Sequence, residues 1–290
     1  MILPGASSQS FAAALAETLE EPLAAVEYDR FPDGERIVRL PGDRGGGDRA
    51  VVVCATVSAD AHVQCLQLQN AAARRYDRVT TVLPYMGYAR QDRAFREGEP
   101  VSARAMARAL STGTDRVVLV TPHERGVADF FDVPCDVVDA GPRLAHGLSE
   151  LAAPLFLAPD ENALALAERV REAHGAGTTD YFEKHRDRDT GEVTIRPHDA
   201  DARDRNVVVI DDIVATGATV SEAVAALDGP ARVVAACVHP VLAANARSRL
   251  AAAGVDRVIG TDTIERAVSA VSAAPAVAPV LRAGEPGEGA

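Results

Sequence analysis

Lysine is almost absent from this chain of 290 residues. Of 30 Lys and Arg residues, one is lysine, Lys184. A Walker A loop needs a lysine directly after its glycines. Lys184 sits in YFEKHR with no Gly-rich loop before it, so that phosphate-binding chemistry is excluded. Cysteine is scarce too. Cys54, Cys65, Cys135 and Cys237 form no C-x-x-C pair, which argues against a zinc site or a disulfide framework and for small core residues. No run reaches the roughly 18 apolar residues of a transmembrane helix. The start, MILPGASSQS, lacks the basic and apolar regions of a secretory signal, so a cytoplasmic protein is expected. Positive charge is outnumbered, 30 basic against 42 acidic residues for a net charge of −12, and no stretch supplies a basic footprint for nucleic acid. The absence of G-x-G-x-x-G after the first strand sets aside a dinucleotide-dependent dehydrogenase. The acidic, lysine-poor balance fits a protein working at high salt, where self-repulsion is screened. It fits equally a GC-rich genome that favours Arg and Ala codons.

What is present reads as globular: 47% hydrophobic and 25% charged residues. At about 100–200 residues per domain the length suggests two domains, with one large α/β domain as the alternative. Short Val-rich runs at 49–56, 78–86 and 116–123 read as buried strands, separated by helical spacing at 62–76 and 102–112. The rhythm recurs, with strands expected at 154–160, 206–213, 232–240 and 257–263 and helices at 161–173 and 218–228. Such alternation implies parallel sheets covered by helices, here as two α/β units joined near 140–148. The Gly-rich stretch 42–49 precedes a strand rather than a helix and reads as a surface turn, and the tail 284–290 reads as frayed. The polar segment 178–204 is long for a loop, which suggests a functional lid or a hairpin.

The strongest chemical signal is NVVVIDDIVATGATVSEAV, 206–224. A buried strand runs into Asp211 and Asp212, then a turn, Ala215, Thr216, Gly217, Ala218 and Thr219, then a helix. Backbone N–H groups and hydroxyls at a helix N-terminus bind phosphate, and a glycine lets the backbone approach closely. Adjacent carboxylates at a strand end suit sugar hydroxyls or hydrated Mg²⁺. This string resembles the phosphoribosyl-diphosphate motif of the type I phosphoribosyltransferase fold.

Four further segments select within that group. RFPDGER presents Phe31, Asp33, Gly34 and Glu35; LPYMGYARQDRAFREGEP presents Arg90, Gln91 and Asp92; TPHERG ends a strand at His123; and YFEKHRDRDTGEV carries Lys184 and Arg186 two apart, on one face of an extended strand. Arginine clamps polyphosphate, and a glutamine side chain both donates and accepts. In this order, over nearly the whole chain, the segments resemble the ribose-phosphate diphosphokinases (PRPP synthetases), most similarly the shorter archaeal-type enzymes. The resemblance implies two tandem phosphoribosyltransferase-like domains, 1–141 and 142–290, with the chain end packing back on the first. It implies Mg²⁺-dependent transfer of a diphosphoryl group from ATP to the C1 hydroxyl of ribose 5-phosphate. Phe31, Asp33, Gly34 and Glu35 would reach a neighbouring subunit's ATP site in a homo-oligomer, and Arg90, Gln91, Asp92 and His123 would contact ATP. His123 and Asp160 would hold metal, Asp211, Asp212 and 215–219 would hold ribose 5-phosphate, and Lys184 and Arg186 would act in catalysis, with Arg186 also on the sugar phosphate. Asn162 stands where the family usually has Gly, which bears on the shape of the loop after Asp160. A nucleobase phosphoribosyltransferase would share only 211–219, and a regulatory paralogue would lack part of the set.

Overall fold

Runs of β-branched residues build two mainly parallel sheets, one in each of two compact units. The computed structural model describes residues 1–42, 48–186 and 193–283, apart from the side chains of 184–186 and 193–196. Residues 43–47 of the Gly-rich stretch, the tail from 284 and the RDRDTG stretch at 187–192 lie outside the described residues. The first unit comprises Met1–Ala140, Asp262–Glu265 and the chain from Ser272 onward; the second comprises Gly141–Thr261 and Arg266–Val271.

The first unit opens with β1 (Ile2–Pro4), α1 (Gln9–Leu19) and an antiparallel hairpin of β2 (Glu27–Arg30) and β3 (Arg36–Arg39). Then follow β4 (Arg49–Val53), α2 (Ala59–Ala73), β5 (Arg78–Leu83), α3 (Ser102–Ser111), β6 (Arg116–Val120) and β7 (Cys135–Val138). The sheet order is β1-β4-β5-β6-β7, with every pair parallel. Its strands read as continuous apolar runs because both faces are covered: Ala50–Val53 are fully buried. Leu68 of α2 and Leu110 of α3 close over the sheet residues Leu83 and Leu119. Helix α2 begins at Ala59, earlier than the apolar spacing indicates, because the Ser58 side chain caps it by accepting from Ala61 N–H at 3.2 Å.

The second unit contains β8 (Leu155–Ala158), α4 (Leu164–His174), β9 (Thr178–Arg186), β10 (Val193–Pro197), β11 (Asn206–Ile213), α5 (Ala218–Ala225), β12 (Arg232–His239), α6 (Ala246–Ala252), β13 (Arg257–Thr261) and β14 (Ser269–Val271). Its sheet order is β10-β9-β8-β11-β12-β13-β14, parallel except for the antiparallel β9–β10 pair. The helix expected at 161–173 is two pieces, a 3₁₀ turn at Glu161–Ala163 and then α4, because Asp160 caps the turn. The long polar segment after α4 is the β9–β10 hairpin. The final helix, α7 (Ala274–Ala283), belongs to the first unit, where Arg116 and Arg49 donate to the Val280 and Leu281 carbonyls at 3.3 and 3.2 Å. These are carbonyls of the last turn, which the helix itself leaves without donors.

Candidate active site

In the second unit β8 and β11 are neighbours, but the chain leaves them in opposite directions. From β8 it proceeds to β9 on one side, and from β11 to β12 on the other. Such a reversal opens a crevice at the carboxyl ends of the two strands, the place where α/β sheets bind ligands. Asp160 follows β8, and Asp211 and Asp212 end β11, so the topology brings Asp160 to a carboxylate pair that begins 51 residues later in the chain. Asp160 accepts from Asn162 N–H at 3.0 Å and Ala163 N–H at 3.2 Å. Asn162 sits in that turn without a positive φ, so a residue other than glycine fits there.

Asp211 accepts from Asp212 N–H at 2.9 Å, and Asp212 from Ile213 N–H at 2.7 Å. Burial pushes the Asp211 carboxyl up to about 8, and the charges of Asp212 and Asp160 add to the rise. An added cation or a hydroxyl donor would relieve that repulsion. Oxygen donors of this kind suit Mg²⁺, which keeps waters and uses one or two carboxylates together with substrate phosphates. Among the described residues no group of three or more His, Cys, Asp and Glu side chains is arranged to hold a metal by itself.

The turn after β11 is fixed by its backbone. Val214 N–H donates to His239 O at 3.2 Å, while the Val214 and Ala215 carbonyls accept from Leu242 and Ala243 at 2.9 Å. Gly217 then begins α5 at φ +73°. A Cβ there would stand 3.1 Å from Leu250 Cγ, so both conformation and space call for glycine. No side chain caps α5; Thr216 and Thr219 are exposed instead. That leaves their hydroxyls accessible beside the first N–H groups of the helix, an arrangement that suits an anion. Lys184 and Arg186 lie on β9, paired in register with Ile195 and Val193 of β10. Strand alternation places the two on one face, as the spacing predicts.

The first unit carries the other set. Arg90, Gln91 and Asp92 follow β5, and His123 follows its neighbour β6, again at carboxyl ends. Arg90 and His123 are exposed. Gln91 is less free than its sequence suggests, because its Oε1 accepts from the Ser102 hydroxyl at 2.8 Å and its carbonyl accepts from Ala103 N–H at 3.1 Å. Ser102 and Thr56, whose Oγ1 accepts from Gly87 N–H at 3.0 Å, are orienting residues that no sequence motif marks. Thr121, two residues before His123, has φ +41° and is held by Val138 and Ala140. Strain of this kind is characteristic of ligand sites. At the tip of the β2–β3 hairpin Phe31 is 42% exposed. Phe31 N–H donates to Glu35 O at 2.9 Å, Gly34 turns at φ +98°, and Asp33 and Glu35 stay exposed. Arg36, which follows the turn at the start of β3, pairs with Asp60 of α2 at 2.6 Å. The four cysteines form no disulfide; burial pushes the Cys135 thiol up to about 12 and Cys237 above its ordinary range, and a hydrogen bond with Cys54 together with burial raises Cys65, so these three are not ready nucleophiles.

Comparison with known proteins supports the same reading. Residues 1–113 match the N-terminal domain of ribose phosphate pyrophosphokinase, and residues 138–273 match the phosphoribosyl transferase domain. The chain is 57% identical to ribose-phosphate pyrophosphokinase of Halobacterium salinarum, over 97% of this chain and 100% of that one. It is 38% identical to the protein of that name from Methanothermobacter thermautotrophicus, again over 97% and 100%. The crystal structure of phosphoribosylpyrophosphate synthetase from Mycobacterium smegmatis superposes with a TM-score of 0.80 at 29% identity, covering 98% of this chain and 97% of that one. Among the described residues no helix is long and apolar enough to cross a membrane. A nucleobase transferase or a non-catalytic paralogue is not favoured by this agreement across both domains. The chain belongs to the ribose-phosphate pyrophosphokinase (PRPP synthetase) family and is an enzyme of 5-phosphoribosyl 1-diphosphate synthesis.

Proposed function

We propose that each group of residues described above takes one part in the reaction ATP + ribose 5-phosphate → AMP + 5-phospho-α-D-ribose 1-diphosphate. The observation that carries this reading is the crevice of the second unit, where Asp160, Asp211 and Asp212 stand beside the uncapped start of α5. The turn 215–219 holds the 5-phosphate through N–H groups and hydroxyls. Asp211 and Asp212 accept from the ribose hydroxyls and orient C1. Arg90, Gln91, Asp92 and His123 bind ATP. Asp160 and His123 are the protein groups offered to Mg²⁺, which when bound neutralises phosphate charge and orients the polyphosphate. The C1 oxygen, releasing its proton to solvent, forms its bond to the β-phosphorus as the bond from that phosphorus to the α-phosphate oxygen breaks, and AMP departs. Lys184 and Arg186 face the charge that develops on the transferred group and the departing oxygen. Positioning and charge neutralisation supply most of the acceleration in such transfers. The setting proposed is the cytoplasm, where these phosphorylated substrates are held.

The direct test supplies Mg²⁺, ATP and ribose 5-phosphate with no nucleobase. Stoichiometric AMP and a phosphorus NMR spectrum of a C1 diphosphate are expected; ADP with a C1 monophosphate would overturn diphosphoryl transfer.

We also propose that Phe31, Asp33, Gly34 and Glu35 complete the ATP site of a neighbouring subunit. The exposed Phe31 ring at the hairpin tip is accessible to a neighbouring chain. Specific activity should then fall as the protein is diluted, in step with dissociation followed by light scattering. A verified monomer at full specific activity would exclude a shared site.

A further inference from the structure

A buried histidine stands beneath the turn that carries Arg90, Gln91 and Asp92. His62, in the first turn of α2, is 7% exposed. Its Nδ1 lies 3.0 Å from the Ser58 carbonyl, which also accepts the His62 N–H at 3.1 Å. Nδ1 is therefore the donor, and Nε2 is left as an acceptor. That Nε2 is buried and has no hydrogen-bond partner. Burial also pushes the imidazole below its ordinary range, so the ring is neutral. An orphaned acceptor destabilises a core relative to an apolar ring of the same shape.

The turn above it is unusual. A Cβ on Gly87 would stand 3.0 Å from His62 Cε1 and 2.3 Å from the Thr56 carbonyl, so the backbone of the turn rests on the imidazole and on the loop before α2. Tyr88 follows at φ +65°, in the left-handed region that bulky residues avoid. Such a conformation persists where its surroundings hold it. The Tyr88 ring, 51% exposed, lies 5.6 Å from the His62 ring at an interplanar angle of 59°. From there the connection is continuous: Tyr88 O accepts from Gln91 N–H at 2.9 Å, and Gln91 is bound to Ser102 and Ala103 at the start of α3.

We propose that His62 is a positioning residue for the nucleotide: its ring holds the strained Gly87–Tyr88 turn, which sets how Arg90, Gln91 and Asp92 meet ATP. This rests on reading 90–92 as the ATP side of the site. The test is steady-state kinetics with ATP and ribose 5-phosphate varied in turn. His62→Ala should raise KM for ATP about tenfold or more and leave KM for ribose 5-phosphate within about twofold. His62→Phe keeps a ring and removes the orphaned nitrogen; it should bring KM for ATP back to within about threefold of the parent and raise Tm. Tyr88→Gly approaches the same turn from its exposed side and relieves backbone strain, so it folds; KM for ATP should rise here too. A merely structural role would lower the active fraction, and kcat would fall with both KM values unchanged. That result overturns the proposal, as do equal shifts in both KM values or a failure of His62→Phe to rescue. Arg90→Ala separates the two readings. If it leaves KM for ATP unchanged, the assignment of the turn to ATP falls, and this role with it. If it raises KM for ATP and His62→Ala does not, only the role of His62 falls.

Discussion

Lys184→Ala is expected to lower kcat for AMP formation by about 10³-fold or more while ATP and ribose 5-phosphate still bind. Lys184 and Arg186 lie two apart on β9, in backbone register with Ile195 and Val193 of β10. Charge on the transferred group and the departing oxygen grows as the bonds exchange. A cation placed there is worth more in the transition state than in the ground state, so its loss appears in kcat rather than in affinity. Titration calorimetry should find each substrate's Kd within about threefold of the parent, as a group acting only in the transition state requires. Lys184→Arg keeps the charge but replaces a compact ammonium by a planar fork, so it should recover only part of the rate. The composition offers an independent check. Lys184 is the sole lysine, and the other amine, that of Met1, is paired with Glu21 at 2.8 Å. Acetylation at Lys184 should inactivate the enzyme in proportion to its extent, and bound substrates should slow both. A Lys184→Ala enzyme within tenfold of the parent rate would remove this residue from the transition state.

Where the sequence was legible, one period or one short motif carried the information. The Val-rich cores of β4, β5, β6, β8, β11, β12 and β13 show as apolar runs because helices cover both faces of each sheet. The turn 215–219 shows because the parts of the candidate phosphate site are contiguous. The remainder depends on distant partners. Strand β1 has three residues and is defined by its register with Val51–Val53. Helix α7 contains Pro279, which argues against a helix when read locally. It forms because Val277, Ala278 and Leu281 are buried and two arginines of the first unit bind its last carbonyls. Likewise, the site residues themselves are visible in motifs, but their supports are not. Ser102 is eleven residues from Gln91, and His62 reaches Gly87 only through the packing of α2. Nothing in a linear pattern marks either.

The crevice carboxylates set function against stability, and Asp211→Asn separates the two. Burial and the neighbouring Asp212 and Asp160 hold the Asp211 carboxyl at about 8, against an ordinary 3.8. Between those values the folded protein binds a proton that the unfolded chain has released. By linkage, stability then falls as pH rises through this window. The substrate-free and metal-free parent should therefore lose Tm between about pH 5 and pH 8. Asp211→Asn has no charge to bury. Its pH profile should be flatter by that contribution, with Tm near the parent's at pH 5 and above it at pH 8, at about 2–4 °C for each kcal/mol gained. The same change removes a charged acceptor from the ribose hydroxyls. A hydrogen bond to a charged group contributes about 1.5–3 kcal/mol, so kcat/KM for ribose 5-phosphate should fall about tenfold to a hundredfold. Mg²⁺ sharpens the distinction. By relieving the repulsion it should raise the parent's Tm at pH 8 more than the variant's. A variant no more stable than the parent at pH 8 would show that Asp211 is ionised at little expense, with its charge already compensated within the fold. A more stable but crippled variant would identify the buried carboxylate as strain retained for binding the sugar.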